Sequence, residues 1–420
     1  MRDIFIEILT TIKHNRLRTA LTGFSVAWGI FILIVLLGAG NGLINATMGN
    51  SSRYLSTSMV VSGGATSKAY DGLGENRDVQ LNDKDFNITS EGFPNNVESV
   101  GAELSQQGET LVNGSDYTTG INLSGVYPND VEINKRTMIC GRFINELDLK
   151  ERRKSIVISS DMAKELLPKS PLSLNGQMIR TTTLAFRVVG IYESQKNSMG
   201  NDAFIPFTTF RAIYNKGDKT GNIVFSFSNL NSEAENEAFE SDYRARINRQ
   251  HRAAPDDENA IWIWNRFTQA LSMDTATGLL RTALWVIGIL TLISGIVGVS
   301  NIMLITVRER THEFGIRKAI GAKPWSILRL IIIESIVITT FFGYIGLVLG
   351  IAANLYMDAT IWQETIDNGL FAIQMFTNPT VGIDVCVKAT LLMIVAGTLA
   401  GMVPARKAAK IRPIEALRAE

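Results

Sequence analysis

The residues of this chain that could perform catalysis are few and widely separated. The candidate nucleophiles and metal ligands of the His and Cys types are His14, Cys140, His251, His312 and Cys386. The run H-E-F-G at His312 lacks the second histidine of H-E-x-x-H, and neither G-x-S-x-G nor the phosphate loop G-x-x-x-x-G-K-[ST] occurs in the sequence. We therefore expect no catalytic set, no zinc site of the usual His/Cys kind and no nucleotide hydrolysis by these residues.

A different kind of chemistry is indicated by the charged segment Arg308 to Pro324, RERTHEFGIRKAIGAKP, which lies between two apolar stretches. Glu313 precedes Arg317 by four residues, a spacing that favours an ion pair on a helix surface. One face of that helix would carry an apolar patch formed by Ile316, Ala319 and Ile320. Gly321 suits the end of a helix, and Pro324 suits the first turn of the next one. The segment is predicted to be a short amphipathic helix.

Two functions are compatible with such a helix. Its basic residues could rest on the lipid surface, as those of interfacial amphipathic helices do. Alternatively, the helix could be a docking element for a partner in the cytoplasm, coupled to the apolar stretches on either side. The spacing of the residues favours neither function over the other.

Four stretches of roughly 20 or more mostly apolar residues could cross a bilayer. We predict transmembrane helices at residues 19–45, 282–307, 325–353 and 381–404. The first is too long for a cleaved signal peptide. In the fourth, Asp384 and Lys388 are four residues apart and are expected to pair on one helix face. The remaining segments are a cytoplasmic amphipathic segment at 1–18, a large domain with a stalk at 46–281, a coupling segment at 308–324, a short loop at 354–380 and a tail at 405–420.

The distribution of basic residues predicts the orientation of these spans. Lysines and arginines cluster before the first span, after the second and after the fourth, at Lys13, Arg16, Arg18, Arg308, Arg310, Arg317, Lys318, Lys323, Arg406, Lys407, Lys410 and Arg412. Residues 354–380 contain no lysine or arginine. Both termini and the coupling segment are therefore expected in the cytoplasm, with 46–281 outside. The net charge of +1 gives no support to nucleic-acid binding.

Residues 46–281 have the pattern of a mixed α/β domain. Strands are predicted at 155–159, 186–192, 222–228 and 261–264, and a long polar helix at 233–251. Ser160 and Asp161 are expected to cap a helix over MAKELL, and the Gly-, Asn- and Asp-rich residues 66–99 are expected to form exposed loops. The helix-compatible residues 267–285 predict a rigid stalk. The fold class is a membrane protein with four transmembrane α-helices and a large mixed α/β extracytoplasmic domain inserted between the first and second.

Polar and small residues within the spans indicate how the helices pack. Glu334 is an ionisable group inside the third span, where such a residue is a functional candidate, although we expect it to bond a neighbouring helix in a structural role. GxxxG patterns permit close contact between helices at Gly38/Gly42, Gly346/Gly350 and Gly397/Gly401.

The run NIMLITVRERTHEFGIRKAIGAKPWSIL resembles the signature of the FtsX/MacB-type ABC transporter permeases, V-x-E-R-T-x-E-I-G-I-R-K-A-x-G-A, with Phe314 in place of the usual Ile. RLRTALTGFSVAWGI is similar to the entry into that family's first span, and PARKAAKIRPIEALR to its C-terminal tail. GRFINELDLKERRKSIVIS, FRVVGIYE and AFIPFTTF resemble the MacB-type periplasmic core domain. The resemblance implies an ATPase-coupling role for Glu309, Arg310, Glu313, Gly315, Ile316, Arg317, Lys318, Ala319 and Gly321.

The resemblance also implies a function for the whole chain. Members of this family pair as dimers, with a second copy or a paralogue, and bind a cytoplasmic ABC ATPase. ATP and Mg²⁺ belong to that ATPase, and this chain is expected to carry no cofactor and to be no enzyme. Because no ATPase precedes the first span here, the ATPase is expected on a separate polypeptide. MacB-type members convert ATP hydrolysis into movement of the periplasmic domain, which is called mechanotransmission, and so drive efflux of a periplasmic substrate such as a drug, peptide or toxin.

Further expected partners are a periplasmic adaptor protein, an outer-membrane TolC-like channel and membrane lipid, and the expected location is the inner membrane. A lipoprotein-releasing permease is the alternative within the family, since its outer domain is of similar size. A membrane-anchored extracytoplasmic sensor is the alternative from another class, but no segment is long enough for its cytoplasmic output domain. A membrane-bound enzyme would need a catalytic set in the outer domain, which the sequence lacks.

Overall fold

The computed structural model describes residues 16–51, 53–181, 184–194, 201–360, 366–367, 372–373, 378–379 and 381–410. The chain divides into two compact units. The helical unit comprises Met1–Met48, Thr275–Ile366 and Ile373–Glu420, and the α/β unit comprises Gly49–Asp274 and Asp367–Ala372. The predicted insertion of one α/β domain between the first and second apolar segments is therefore confirmed.

Four of the helices that the structure describes are long and apolar enough to cross a membrane: α1 (Arg16–Ser51), α8 (Arg266–Glu309), α10 (Pro324–Thr360) and α11 (Ile383–Ala409). A much shorter helix, α9 (Thr311–Ala319), lies between α8 and α10. Helices α1, α8 and α10 extend beyond the predicted spans at both ends, and α11 extends beyond its span at the C-terminal end, because polar residues can continue a helix past the hydrocarbon. The limits of the bilayer crossing stay predictions.

Small residues allow the long helices of the helical unit to approach each other closely. A Cβ on Gly346 of α10 would lie 2.2 Å from the carbonyl oxygen of Ala27 on α1. Similarly, a Cβ on Gly397 of α11 would lie 2.1 Å from Oγ1 of Thr339 on α10. These glycines belong to two of the predicted GxxxG patterns, which therefore do mark helix contacts. The predicted pair of α11 also forms, with Lys388 Nζ 3.3 Å from Asp384 Oδ2.

The α/β unit is built around a ten-stranded sheet with the order β10-β1-β9-β2-β3-β8-β5-β7-β4, while β6 pairs with β2 and β7. Its strands are β1 (Ser58–Gly63), β2 (Val97–Asn113), β3 (Asp116–Val126), β4 (Met138–Gly141), β5 (Ser155–Ser159), β6 (Met178–Arg180), β7 (Ala185–Tyr192), β8 (Asn201–Pro206), β9 (Asn222–Phe227) and β10 (Ile261–Asn265). Its helices are α2 (Asp83–Gly92), α3 (Asp130–Ile133), α4 (Glu146–Lys150), α5 (Ser160–Leu166), α6 (Phe207–Ile213) and α7 (Glu233–Gln250). Short strands β11 (Ile366–Asp367) and β12 (Ala372–Ile373) pair with each other.

The long strand β2 joins the two halves of this sheet. Residues Val97 to Glu103 pair with β9, and Leu104 to Asn113 pair with β3. Each half has its own core. One core contains Phe225 of β9 and Tyr243 of α7, and the other contains Ile158 of β5 and Met162 of α5. The α/β unit is therefore built on one continuous sheet, with a large hydrophobic cluster against each half and smaller clusters around Phe204 and Phe207.

The four predicted strands are confirmed as β5, β7, β9 and β10, and the long polar helix as α7. The predicted cap of α5 is wrong by one residue. Ser159, in extended conformation, accepts a hydrogen bond from the Met162 amide, while the Ser160 hydroxyl accepts one from the Ser194 amide. The prediction of loops for residues 66–99 is also wrong in part, because α2 forms there with a reciprocal cap between Asn82 and Asp85.

Helix α8 is continuous from Arg266 to Glu309 and so contains the whole of the predicted stalk. Its start is defined by Asn265, whose side-chain oxygen accepts hydrogen bonds from the amides of Phe267 at 2.9 Å and Thr268 at 3.4 Å. The last residue of β10 therefore caps the helix that continues into the helical unit.

Candidate functional site

The segment between α8 and α10 folds as the sequence predicts, with α9 as a short helix. Gly321 has φ of +103°, and its amide donates to the Lys318 carbonyl at 3.0 Å. The next amide, of Ala322, donates to the Arg317 carbonyl at 2.9 Å. This pair of bonds is the Schellman arrangement, which requires a left-handed residue and so favours glycine. Pro324 is the first residue of α10, as predicted.

The charged side chains of this segment pair differently from the expectation. Glu313 contacts Arg310, with 3.0 Å between Glu313 Oε2 and Arg310 Nε, and the structure records no ion pair between the described side chains of Glu313 and Arg317. Spacings of three and four residues both bring helical side chains together, so the sequence alone leaves the choice open. The pairing matters because Arg310 has a second, more deeply buried carboxylate beside it.

That second carboxylate belongs to Glu334, the ionisable residue of the third span. Arg310 Nη1 lies 3.6 Å from Glu334 Oε2, and the two side chains are only 15% and 6% exposed. The Arg310 guanidinium also lies 5.5 Å from the centre of the Phe314 ring. An ion pair at this depth is strongly sensitive to the loss of either partner. It ties the start of α9 to the body of α10.

A third contact ties α9 to the last helix. Lys318 Nζ donates a hydrogen bond of 2.5 Å to the carbonyl oxygen of Ala409, the final residue of α11. A lysine at this position satisfies a carbonyl that has no partner within the helix and interacts favourably with the negative end of the helix dipole. Helix α9 is thus held by polar contacts to both α10 and α11.

The two faces of α9 have opposite environments. Phe314 is 1% exposed within the hydrophobic core of the helical unit, and Gly315 beside it is also buried. The predicted apolar patch faces outward instead: Ile320 is 82% exposed, and Ile316 and Ala319 are exposed as well. Trp325, at the start of α10, adds a 70% exposed aromatic ring that the sequence analysis did not include. Exposed apolar residues on an anchored helix form a surface that can meet a partner protein or the lipid.

The other predicted coupling residues lie on the same short stretch. Glu309 is exposed at the end of α8, and Arg317 is half-buried in the last turn of α9. In the part of the chain that the structure describes, no group of three or more His, Cys, Asp or Glu side chains could hold a metal ion. The site is therefore a charged and apolar surface held by the ends of three long helices.

These features define a class: an α-helical membrane protein with four spans, a large α/β domain after the first span and an anchored helix between the second and third. Comparison with protein families specifies it further. Residues 19–246 match the family described as MacB-like periplasmic core domain, and residues 285–413 match the family described as FtsX-like permease C-terminal. The chain therefore belongs to the MacB/FtsX-like ABC transporter permeases. The four apolar helices and the periplasmic-type domain fit an inner-membrane protein.

The chain is also similar to individual proteins and to one solved structure. The chain is 26% identical to the macrolide export ATP-binding/permease protein MacB of Bdellovibrio bacteriovorus over 98% of this chain and 60% of that protein. It is 28% identical to the uncharacterized ABC transporter permease YknZ of Bacillus subtilis over 72% of this chain and 71% of that protein. The periplasmic region of MacB from Actinobacillus actinomycetemcomitans is similar at a TM-score of 0.43 and 18% identity, covering 54% of this chain and 96% of that one. The chain thus spans about 60% of the length of the MacB relatives it matches.

Proposed function

We propose that this protein is the permease subunit of a MacB-type ABC transporter and that α9 receives the movement of a cytoplasmic ABC ATPase. The observation that carries the proposal is the anchoring of α9. Its polar contacts to α10 and α11 transmit force, while Ile320 and its exposed neighbours remain uncovered for a partner. ATP and Mg²⁺ would bind to the ATPase, which is not among the 420 residues of this sequence.

In this proposal the chain moves its periplasmic domain by mechanotransmission and so exports a periplasmic substrate such as a drug, peptide or toxin. Family membership and the arrangement of four spans around one large domain support this function. A second copy or a paralogue would complete the permease, with both termini in the cytoplasm. A periplasmic adaptor and a TolC-like outer-membrane channel would receive the substrate.

Copurification from the protein's own cells tests the proposal. The full chain is solubilised in mild detergent, and the bound proteins are identified by mass spectrometry and assayed for ATP hydrolysis. We expect the wild-type chain to recover a protein that carries a G-x-x-x-x-G-K-[ST] phosphate loop. Ile320→Asp and Glu313→Lys should each lose most of it, because both change the outward face of α9.

The first residue of α11 provides a matched control. Ile383, the first residue of α11, is 84% exposed, similar to Ile320. Ile383→Asp should therefore recover as much ATPase as the wild type. Failure of the wild-type chain to recover any ATPase would contradict the proposal and favour the sensor alternative. Equal loss with both aspartate variants would show that α9 is not the docking element.

A further inference from the structure

Helix α8 begins with a buried arginine. Arg266 is 7% exposed, and it lies within the α/β unit. Its Nη1 donates to Ser58 Oγ at 3.2 Å and to the Ile133 carbonyl at 3.3 Å, while Nη2 donates to Asn134 Oδ1 at 3.0 Å. These acceptors come from β1, from α3 and from the residue after α3. One guanidinium therefore bonds the first residue of α8 to two other elements of the α/β unit.

The chain that follows α1 reaches the same guanidinium. Tyr54 lies three residues after the end of α1, and its ring centre is 4.0 Å from the Arg266 guanidinium carbon. The Trp264 ring lies 5.0 Å away, and the two rings are in edge contact with each other. The Ile133 carbonyl also accepts a hydrogen bond from the Leu55 amide at 2.8 Å. The chain segments that lead out of α1 and into α8 therefore meet at Arg266.

A chain of polar contacts continues from Arg266 into the other half of the sheet. Asn134 Nδ2 donates to Asp130 Oδ1 at 2.6 Å, and Arg136 Nε donates to Asp130 Oδ2, also at 2.6 Å. The Arg136 guanidinium lies 4.0 Å from the centre of the Phe204 ring on β8. Every step of this chain is a direct contact, so a displacement of the first turn of α8 has a continuous physical route to β8.

We propose that Arg266 is the positioning residue that transmits movement of α8 to the sheet of the periplasmic domain. Stability alone does not explain why an arginine occupies this buried position. Its three hydrogen-bond acceptors are all neutral, and a buried charge without a bonded carboxylate is expensive to desolvate. A planar guanidinium with several fixed donors does, however, hold three acceptors in one orientation. The inference rests on the proposed function, since the movement to be transmitted originates at the ATPase.

Hydrogen exchange of the full chain in lipid nanodiscs tests the inference, with Arg266→Met as the main variant. We expect exchange to become roughly ten-fold faster in residues 130–136 and 201–206, the effect of losing one or two hydrogen bonds, with no change in α7. Arg266→Lys should give the same pattern to a smaller extent, because one ammonium cannot reach all three acceptors in the same plane. It also serves as the test if the methionine variant does not fold.

Arg281→Met is the matched control, because Arg281 is an exposed residue of the same helix, and it should leave both segments unchanged. Faster exchange confined to the first turn of α8 would overturn the inference. Equally faster exchange throughout the α/β unit would also overturn it, since that result indicates only a structural role.

A second readout separates this inference from the proposed function. With the ATPase bound and trapped by vanadate, the wild type should show a nucleotide-dependent change in exchange at residues 130–136. Arg266→Met should lose that change while it still copurifies with an active ATPase. If no ATPase binds to the wild type, the proposed function fails, and the nucleotide-free exchange pattern still decides whether Arg266 connects α8 to the sheet.

Discussion

At the scale of single residues, Arg310 pairs with two carboxylates of the described residues, and these lie in very different environments. Glu313 is 57% exposed on α9, whereas Glu334 is 6% exposed on α10. An exposed ion pair contributes little to stability because water and ions screen it, while a buried pair cannot lose one member without leaving a charge in a poor environment. The stabilising contact of this site is therefore the one to Glu334.

This difference gives a prediction for two substitutions that remove the same charge. Glu334→Gln should lower the free energy of unfolding of the full chain in detergent by about 3 kcal/mol. Glu313→Gln should lower it by less than about 1 kcal/mol. The measurement is thermal or chemical unfolding of each variant in the same detergent. Equal small effects of the two substitutions would show that the Arg310–Glu334 pair does not hold α9. The double variant Arg310→Gln/Glu334→Gln should recover part of the free energy of unfolding that Glu334→Gln loses.

A second residue-scale prediction concerns the carboxyl group of Glu103, a half-buried residue of β2. Burial, and to a lesser degree the charge of Asp130, raise the pKa of Glu103 to about 7 from an ordinary value of 4.5, while Arg136 opposes the shift. In that interval the folded state binds a proton that the unfolded state has released. The free energy of unfolding should therefore fall by roughly 1 kcal/mol per pH unit as the pH rises from about 5 to 7.

Glu103→Gln should remove this dependence and make the protein more stable than the wild type at pH 8. Unfolding of the full chain measured from pH 5 to pH 8 provides the test. Glu98→Gln is a suitable control, because Glu98 is exposed on the same strand. A wild-type slope that persists unchanged in Glu103→Gln would assign the pH dependence to another group.

At the scale of elements, strands are predictable from the sequence where burial leaves a clear pattern. The runs SIVIS and NIVFSF are buried on both faces and were located to within one residue. Strand β2, VESVGAELSQQGETLVN, was missed because its polar residues alternate with few apolar ones, although it is the longest strand and joins both halves of the sheet. Helix α2 is hard to predict because the residues of its Asn82–Asp85 cap are equally typical of a polar loop.

The candidate site shows the same limit for long-range contacts. The end of α9 was predictable because Gly321 and Pro324 carry local backbone preferences. The pair Arg310–Glu334 was not, because the two residues are far apart in sequence and meet only when α9 turns back against α10. Arg266 was missed for a related reason, since its acceptors come from β1 and from the end of α3.

At the scale of the whole molecule, the proposed function depends on the orientation of the chain in the membrane. Basic residues cluster beside the ends of the spans that carry α9, and residues 354–380 lack them. The ATPase can meet α9 only if this side is cytoplasmic, because ATP is supplied there. If the orientation were reversed, α9 would lie outside the cytoplasm and could not contact the ATPase.

Cysteine labelling in intact cells with a permeable outer membrane measures this orientation. Lys84→Cys in the α/β unit and Lys323→Cys after α9 are compared in a background of Cys140→Ser and Cys386→Ser; both lysines are exposed. A membrane-impermeant maleimide should label position 84 strongly and position 323 at most about one tenth as well, since a charged reagent does not cross the bilayer. After the inner membrane is opened, both positions should react. Strong labelling at 323 in intact cells would place α9 outside, beyond the reach of any ATP-driven partner, and would refute the coupling role of that helix.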